Sequence, residues 1–203
     1  IVPDCLFADT KQIILEDLKP QGFFLGDRIK GLDFDHIKVV LETLAELHAA
    51  SLILEHTDRD RFFELRKDVV ELLFSDSDPP GIGKFLNDLP NFTVLCLKTA
   101  ATPEDDHSKE IAFMNERRGK IYDVVKEIVK PAKYSVLCAG DLWINNLLFK
   151  YEEENERKVV SGVRFLDFQV SRFGPVVIDI LYFLHTSVPH ELLLEHENTF
   201  LEI

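Results

Sequence analysis

The chain has 203 residues, 46% hydrophobic and 29% charged, with 16 Phe beside a single Trp and a single Met. That is enough apolar material for one or two packed units, and it excludes a disordered tail. A net charge of −13, with basic residues scattered among acidic ones, disfavours nucleic-acid and anionic-membrane partners. No apolar run approaches the roughly 18 residues of a membrane span, and no secretory leader pattern opens the chain. Cys5, Cys96 and Cys138 are far apart and form no CxxC pair. This argues against a disulfide framework or structural zinc and for a reducing, cytoplasmic setting. Ile1 opens in strand-like sequence and Ile203 stops in a helical pattern, so the chain reads as a fragment.

Along the chain, Cys5–Ala8 and Gln12–Leu18 read as a strand hairpin turned by Asp9-Thr10-Lys11. Pro20, Gly22, Gly26 and Gly31 then predict a flexible link. Asp33 or Asp35 can cap a helix whose apolar positions Ile37, Val40, Leu41, Leu44 and Leu47 recur at helical spacing to about residue 56. A second helix is expected over residues 59–74, a loop over 75–83, and a mixed stretch over 84–100. Asp105 and Asp106 precede another helix, with a stripe through Ile121, Val124, Val125, Ile128 and Val129 that stops at Pro131. Strands follow at Tyr134–Cys138, Leu147–Tyr151 and Val159–Phe168, with a charged turn at residues 152–158. Pro175 is expected to open a helix that is apolar on all sides, and His190–Ile203 begins one more.

The chemistry-bearing stretch is Cys138-Ala-Gly-Asp-Leu-Trp-Ile-Asn-Asn146. Asp141 and Asn146 share a loop between two apolar strands, and Asp167 closes a later strand, Val163-Arg-Phe-Leu. If the flanking strands pair, two carboxylates and a carboxamide meet at one edge. Oxygen donors of that kind suit Mg²⁺ and phosphoryl transfer, in which a carboxylate must also reach the attacking hydroxyl. Protein kinases carry the same order: Asp, four residues, Asn, then a later metal-binding Asp. A lone DxxxxN is most often a turn or cap, and it is the strand context that raises this one above that reading. Asp179 lies among apolar neighbours. Either it accepts backbone N–H bonds from the 139–146 loop, or it occupies the one exposed position of a buried helix. Trp143 reads as packing for the loop, Gly81-Ile-Gly-Lys84 as a turn, and His185, His190 and His196 as ordinary histidines. Ser51 sits too near His48 in one helix to form a nucleophile–base pair with an orienting acid.

Gly140-Asp-Leu-Trp-Ile-Asn-Asn146, Phe165-Leu-Asp-Phe-Gln169 and Ser171–Leu184 resemble the ecdysteroid-kinase-like proteins. These are choline-kinase-like enzymes with the aminoglycoside-phosphotransferase variant of the kinase fold. Ile13–Phe23 is similar to their last N-lobe strand and hinge, and Leu44–Leu52 to their first long C-lobe helix. The resemblance implies an α+β fold: the end of an N-lobe and the hinge over residues 1–19, then a mostly helical C-lobe with a small catalytic β-hairpin over 20–203. Most of the N-lobe would be missing. Asp141 would be the catalytic base, and Asn146 and Asp167 would hold Mg²⁺ against ATP. The backbone at Glu16 and Leu18 would pair with adenine, and Asp179 would brace the catalytic loop. The implied function is ATP- and Mg²⁺-dependent phosphorylation of a hydroxyl on a small molecule, ecdysteroids being the named acceptors. Two departures stand out. The family's loop begins with His, where this chain has Ala139, and the glycine-rich turn and phosphate-gripping Lys would precede Ile1. The fragment alone is therefore expected to be nearly inactive. A non-catalytic kinase-like binding module is the alternative, and a two-metal hydrolase, short of ligands, ranks below both.

Overall fold

The computed structural model describes residues 1–75, 81–102 and 104–203. Part of the expected 75–83 loop lies outside them, at residues 76–80. In chain order the elements are β1 (Cys5–Ala8), β2 (Ile13–Leu15), β3 (Phe23–Leu25), α1 (Phe34–Thr57), α2 (Arg59–Asp68), α3 (Ile82–Ala100), α4 (Ser108–Glu116) and α5 (Ile121–Ile128). There follow β4 (Ser135–Cys138), β5 (Leu147–Glu154), β6 (Arg157–Phe165), β7 (Arg172–Pro175), α6 (Val177–Ser187) and α7 (His190–Glu202). The fold is α+β. It divides into two compact units, Ile1–Val70 with Ala132–Ile203, and Glu71–Pro131. Among the described residues no helix is long and apolar enough to cross a membrane.

In the first unit, β1 and β2 form an antiparallel hairpin. Asp9 shapes its turn by accepting from the N–H groups of Lys11 and Gln12. A 3₁₀ turn over Lys19–Gln21 closes at Gly22, whose φ of 85° is left-handed. The chain then enters β3, an edge strand paired to β5, which pairs in turn with β6. A second ribbon joins β4 to β7. Asp33 is the residue that caps α1, accepting from the His36 N–H at 3.1 Å. Below the cap, Ile37, Val40, Leu41 and Leu44 meet Leu147, Phe149, Val163, Phe165, Phe183 and Phe200 in one core. Burial of each such side chain stabilises by about 1.5–3 kcal/mol, which ties the β5–β6 hairpin to the long helix.

The second unit contains α3, α4 and α5, and Asn87 on α3 accepts from the Tyr122 N–H on α5 at 3.0 Å. The mixed stretch over 84–100 is a single helix that runs through Pro90. The helix expected after Asp105 and Asp106 is two, parted where Gly119 adopts φ 67°.

Elsewhere the differences have local causes. α2 stops at Asp68 and not at 74, because Val70 and Leu72 find no core and stay 58% and 54% exposed. β3 falls within the expected link, and β7 falls in a stretch given no element and ends on Pro175, the residue expected to open a helix that instead starts at Val177; each strand is three or four residues long and is defined by its partner. The charged turn shrinks to Asn155-Glu156, both at positive φ as in a two-residue hairpin. The charges flanking it are ladder pairs, Glu153 opposite Lys158 and Glu154 opposite Arg157. α6 is not apolar and buried all round: Val177, Leu181 and Tyr182 are exposed.

Candidate active site

Every predicted site residue belongs to the first unit. β4 delivers the chain to Gly140, at φ 91°, where an added Cβ would run into the Val170 carbonyl. Only glycine fits, and the chain turns there to project Asp141. The Asn146 Nδ2 donates to the Asp141 backbone oxygen at 2.9 Å and to its Oδ2 at 3.2 Å. Tyr182 on α6 donates its hydroxyl to Asp141 Oδ1 at 2.8 Å. Burial first, and the Asp141 carboxylate second, push the Tyr182 phenol up to about 12. The loop backbone closes through Trp143 N–H to Asp141 C=O at 3.1 Å and Asn146 N–H to Trp143 C=O at 2.8 Å. Ser187 accepts from the Ile144 N–H at 2.9 Å, which fixes the far end of the loop to α6. Trp143 itself is half-buried.

Asp179 lies beneath the loop and is 1% exposed. Its Oδ2 accepts from the Ala139 N–H at 2.7 Å and its Oδ1 from the Gly140 N–H at 3.0 Å. His48 Nε2, on α1, lies 3.0 Å from Oδ2. Cys138, His48 and Asp179 offer ligand atoms within 4.8 Å of one another, yet each is already engaged. The thiol faces the Gly174 and Pro175 carbonyls, and burial, with Asp179 second, pushes it up to about 12. A thiol held protonated in this way is a poor metal ligand. Ser51 accepts from the Leu137 N–H at 3.0 Å and donates to the His48 C=O at 2.7 Å, so its hydroxyl serves the backbone.

Asp167 stands two residues past the end of β6, exposed and in the left-handed region at φ 61°. Its Oδ2 accepts from Gln169 Nε2 at 3.1 Å, so its carboxylate is not bonded to the Asp141 loop. The backbone nevertheless brings it near: Leu147 pairs with Phe165, and the Leu166 N–H donates to the Asn146 C=O at 2.9 Å. Because Asn146 turns its Nδ2 towards Asp141, its Oδ1 points away from that residue. Asn146 Oδ1 and the Asp167 carboxylate are hard oxygen donors, so the residues present fit Mg²⁺.

Glu16 and Leu18 line a cavity of about 370 Å³ with Leu15, Phe23, Leu148 and Leu166. Leu166 immediately precedes Asp167, and Leu148 lies two residues after Asn146. The Leu18 C=O accepts from Gln21 and Phe23, which leaves its N–H as what it can offer a ligand. The Glu16 carboxylate accepts from the Asp4 N–H at 3.0 Å and from Gln21 at 2.7 Å. These bonds, the Asp4 one first, hold it below the usual carboxylate range.

The ecdysteroid kinase-like family model matches residues 1–203. The chain belongs to the ecdysteroid kinase-like family. It is also similar to a 4-hydroxytryptamine kinase of Psilocybe cubensis, 28% identical over 110 residues, covering 51% of this chain and 30% of that relative. The chain thus spans about 30% of the length of the curated relative it matches. Tyr182, His48, Ser51 and Ser187 touch the loop or its support; the first three lie inside the family-like stretches Leu44–Leu52 and Ser171–Leu184, but none was expected to serve the loop. One signal was available: Tyr182 follows Asp179 at i+3, and Ser51 follows His48 at i+3, so each pair shares a helix face.

Proposed function

We propose that the chain is the hinge and C-lobe of an ATP- and Mg²⁺-dependent kinase that phosphorylates a hydroxyl on a small molecule. Residues 1–19 are the end of the N-lobe and residues 20–203 the C-lobe. The observation that carries this is Asp141, gripped from both sides by Asn146 and Tyr182 at the rim of the loop. So held, its carboxylate can accept the proton of an incoming hydroxyl without reorienting. Asn146 and Asp167 hold the metal, Leu18 N–H and the Glu16 backbone meet the adenine, and Leu148 and Leu166 floor its cavity. Mg²⁺, when bound, neutralises charge on the transferring phosphoryl group.

The family and the kinase relative support the reaction class; the hydroxyl in that relative's named substrate supports the acceptor chemistry. The N-lobe reading draws on the β1–β2 hairpin, which leaves Leu6 and Ile13 67% and 68% exposed, as strands awaiting a further sheet would. Without that sheet, ATP binding and turnover by this chain alone are expected to be feeble. Its three cysteines are unpaired among the described residues, in keeping with the cytoplasm. Ala139 favours a second reading, a non-catalytic module that only binds. The test is Asp141→Ala in the full-length protein. Transfer of phosphate from ATP should fall about 10²- to 10⁴-fold with folding intact; full retention would remove Asp141 as the base. A Mg²⁺-dependent thermal shift with nucleotide supports the kinase, and a silent response the module.

A further inference from the structure

Tyr151 and His36 have no part in the kinase reading, yet the fold joins them by a device of its own. Where β5 passes from Lys150 to Tyr151, β6 carries one residue too many. Lys150 pairs with Gly162 and Tyr151 with Val160, which leaves Ser161 out of the ladder. A bulge of this kind re-aims the side chains beside it. The Tyr151 hydroxyl comes to 3.0 Å from His36 Nε2, and the His36 ring stands edge-on against Phe149. On its other side, His36 Nδ1 lies 2.6 Å from Asp33 Oδ1. A carboxylate only accepts, so Nδ1 carries the hydrogen. In the neutral imidazole Nε2 is then an acceptor, and the Tyr151 O–H donates to it. Burial, with the Asp33 charge second, pushes the Tyr151 phenol up, so the hydroxyl keeps its proton.

This chain of three side chains lines a cavity of about 460 Å³, whose wall also holds Asp27, Lys30, Leu32, Pro189 and Leu192. What its polar wall has left is acceptor capacity. The Tyr151 oxygen has turned its hydrogen to His36 and keeps its lone pairs. Asp33 uses Oδ1 for both bonds from His36, which leaves capacity at Oδ2. Burial works against the Asp33 charge, but the His36 bonds outweigh it and hold the carboxyl below its usual range, ionised at neutral pH. Lys30 is 83% exposed and turns to Asp27 at 3.7 Å, so it does not answer Asp33. The start of α1 carries only about half a positive charge, less than the full negative charge of its cap.

We propose that this cavity binds an organic ammonium ion, whose N–H groups donate to the Tyr151 oxygen and the Asp33 carboxylate while its hydrocarbon part lies on Leu32, Pro189 and Leu192. A net charge of −13 draws cations and repels anions at long range. The inference goes beyond the kinase reading and does not depend on it, because no residue of this site is assigned to nucleotide, metal or proton transfer.

The experiment titrates phenethylammonium at pH 7 into the full-length protein without nucleotide, following the saturable broadening of its ring-proton NMR signals. 2-Phenylethanol and 3-phenylpropionate, of similar size, supply the neutral and anionic comparisons. The ammonium should bind about 10-fold more tightly than the alcohol, and the carboxylate more weakly than either. Asp33→Asn, which still caps α1, should weaken ammonium binding about 10-fold, and Tyr151→Phe about 3- to 10-fold. Should Asp33→Asn fail to fold, Asp33→Ser, another capping residue, takes its place with the same expectation. No saturable binding by the unsubstituted protein, equal affinity for the three probes, or an affinity that survives either substitution overturns the proposal. Each of those failures leaves the kinase reading to the Asp141→Ala test.

Discussion

Asp179 and Glu16 are both carboxylates that accept backbone N–H bonds, one beneath the Asp141 loop and the other beside the cavity lined by Leu15 and Leu18. Asp179 is buried, and its partners come from α1 and from the loop after β4. Glu16 follows β2 and is exposed, with partners from Asp4, just before β1, and from the adjoining 3₁₀ turn. Charge-assisted bonds out of water contribute about 1.5–3 kcal/mol each, whereas exposed ones contribute about 0–1. On the proposed reading, rigidity is concentrated beneath the base, and the nucleotide rim is left comparatively loose. A base must be held to within a fraction of an ångström, while a planar ring between apolar walls tolerates more play.

The sharpest way to break this contrast on the stability side is Asp179→Ala. It strands two loop N–H groups and the His48 ring, and should destabilise the fold by about 3–5 kcal/mol in urea or thermal melts. A loss comparable to that of a surface substitution would mean that the loop is held by something else. Tyr182→Phe comes next and leaves the fold intact. Losing one of the two grips on Asp141 should lower kcat about 3- to 10-fold with little change in KM for ATP.

The same variant carries a pH signature. Because the folded state raises the Tyr182 phenol to about 12, the neutral form is the favoured one. Any stability this gives is full below the ordinary tyrosine value near 10 and fades as pH climbs towards 12. In an ultraviolet titration, Tyr182→Phe should remove the component near 12, and Asp141→Asn should shift that component down.

Ser51→Ala probes the buried side more gently. It leaves the Leu137 N–H unpaired and should cost about 1–2 kcal/mol in a denaturation midpoint. The smallest effect belongs to the rim. Glu16→Gln should leave the melting temperature at pH 7 within error of the parent. The Glu16 carboxylate is held below its usual range, so any difference belongs to pH values above that range and vanishes as pH falls through the lowered value. A large effect of Glu16→Gln would reverse the contrast between floor and rim.

By itself the sequence determined which chemistry was on offer. Asp141, Asn146 and Asp167 stand out because polar residues punctuate apolar strands, and the long helix through Ile37, Val40 and Leu44 is legible because its apolar positions repeat every turn. Family membership rests on the same local patterns. Only the tertiary structure decided what depends on partners far along the chain. β3 and β7 exist because β5 and β4 lie beside them, and α2 ends early because no core receives Val70 and Leu72. The same holds for the supports of the loop. His48 and Asp179 are 131 residues apart, and Tyr182 reaches Asp141 across 41. Periodicity reports which face of a helix is apolar, but the polar residue that face carries acquires a purpose only when packing sets it against another element.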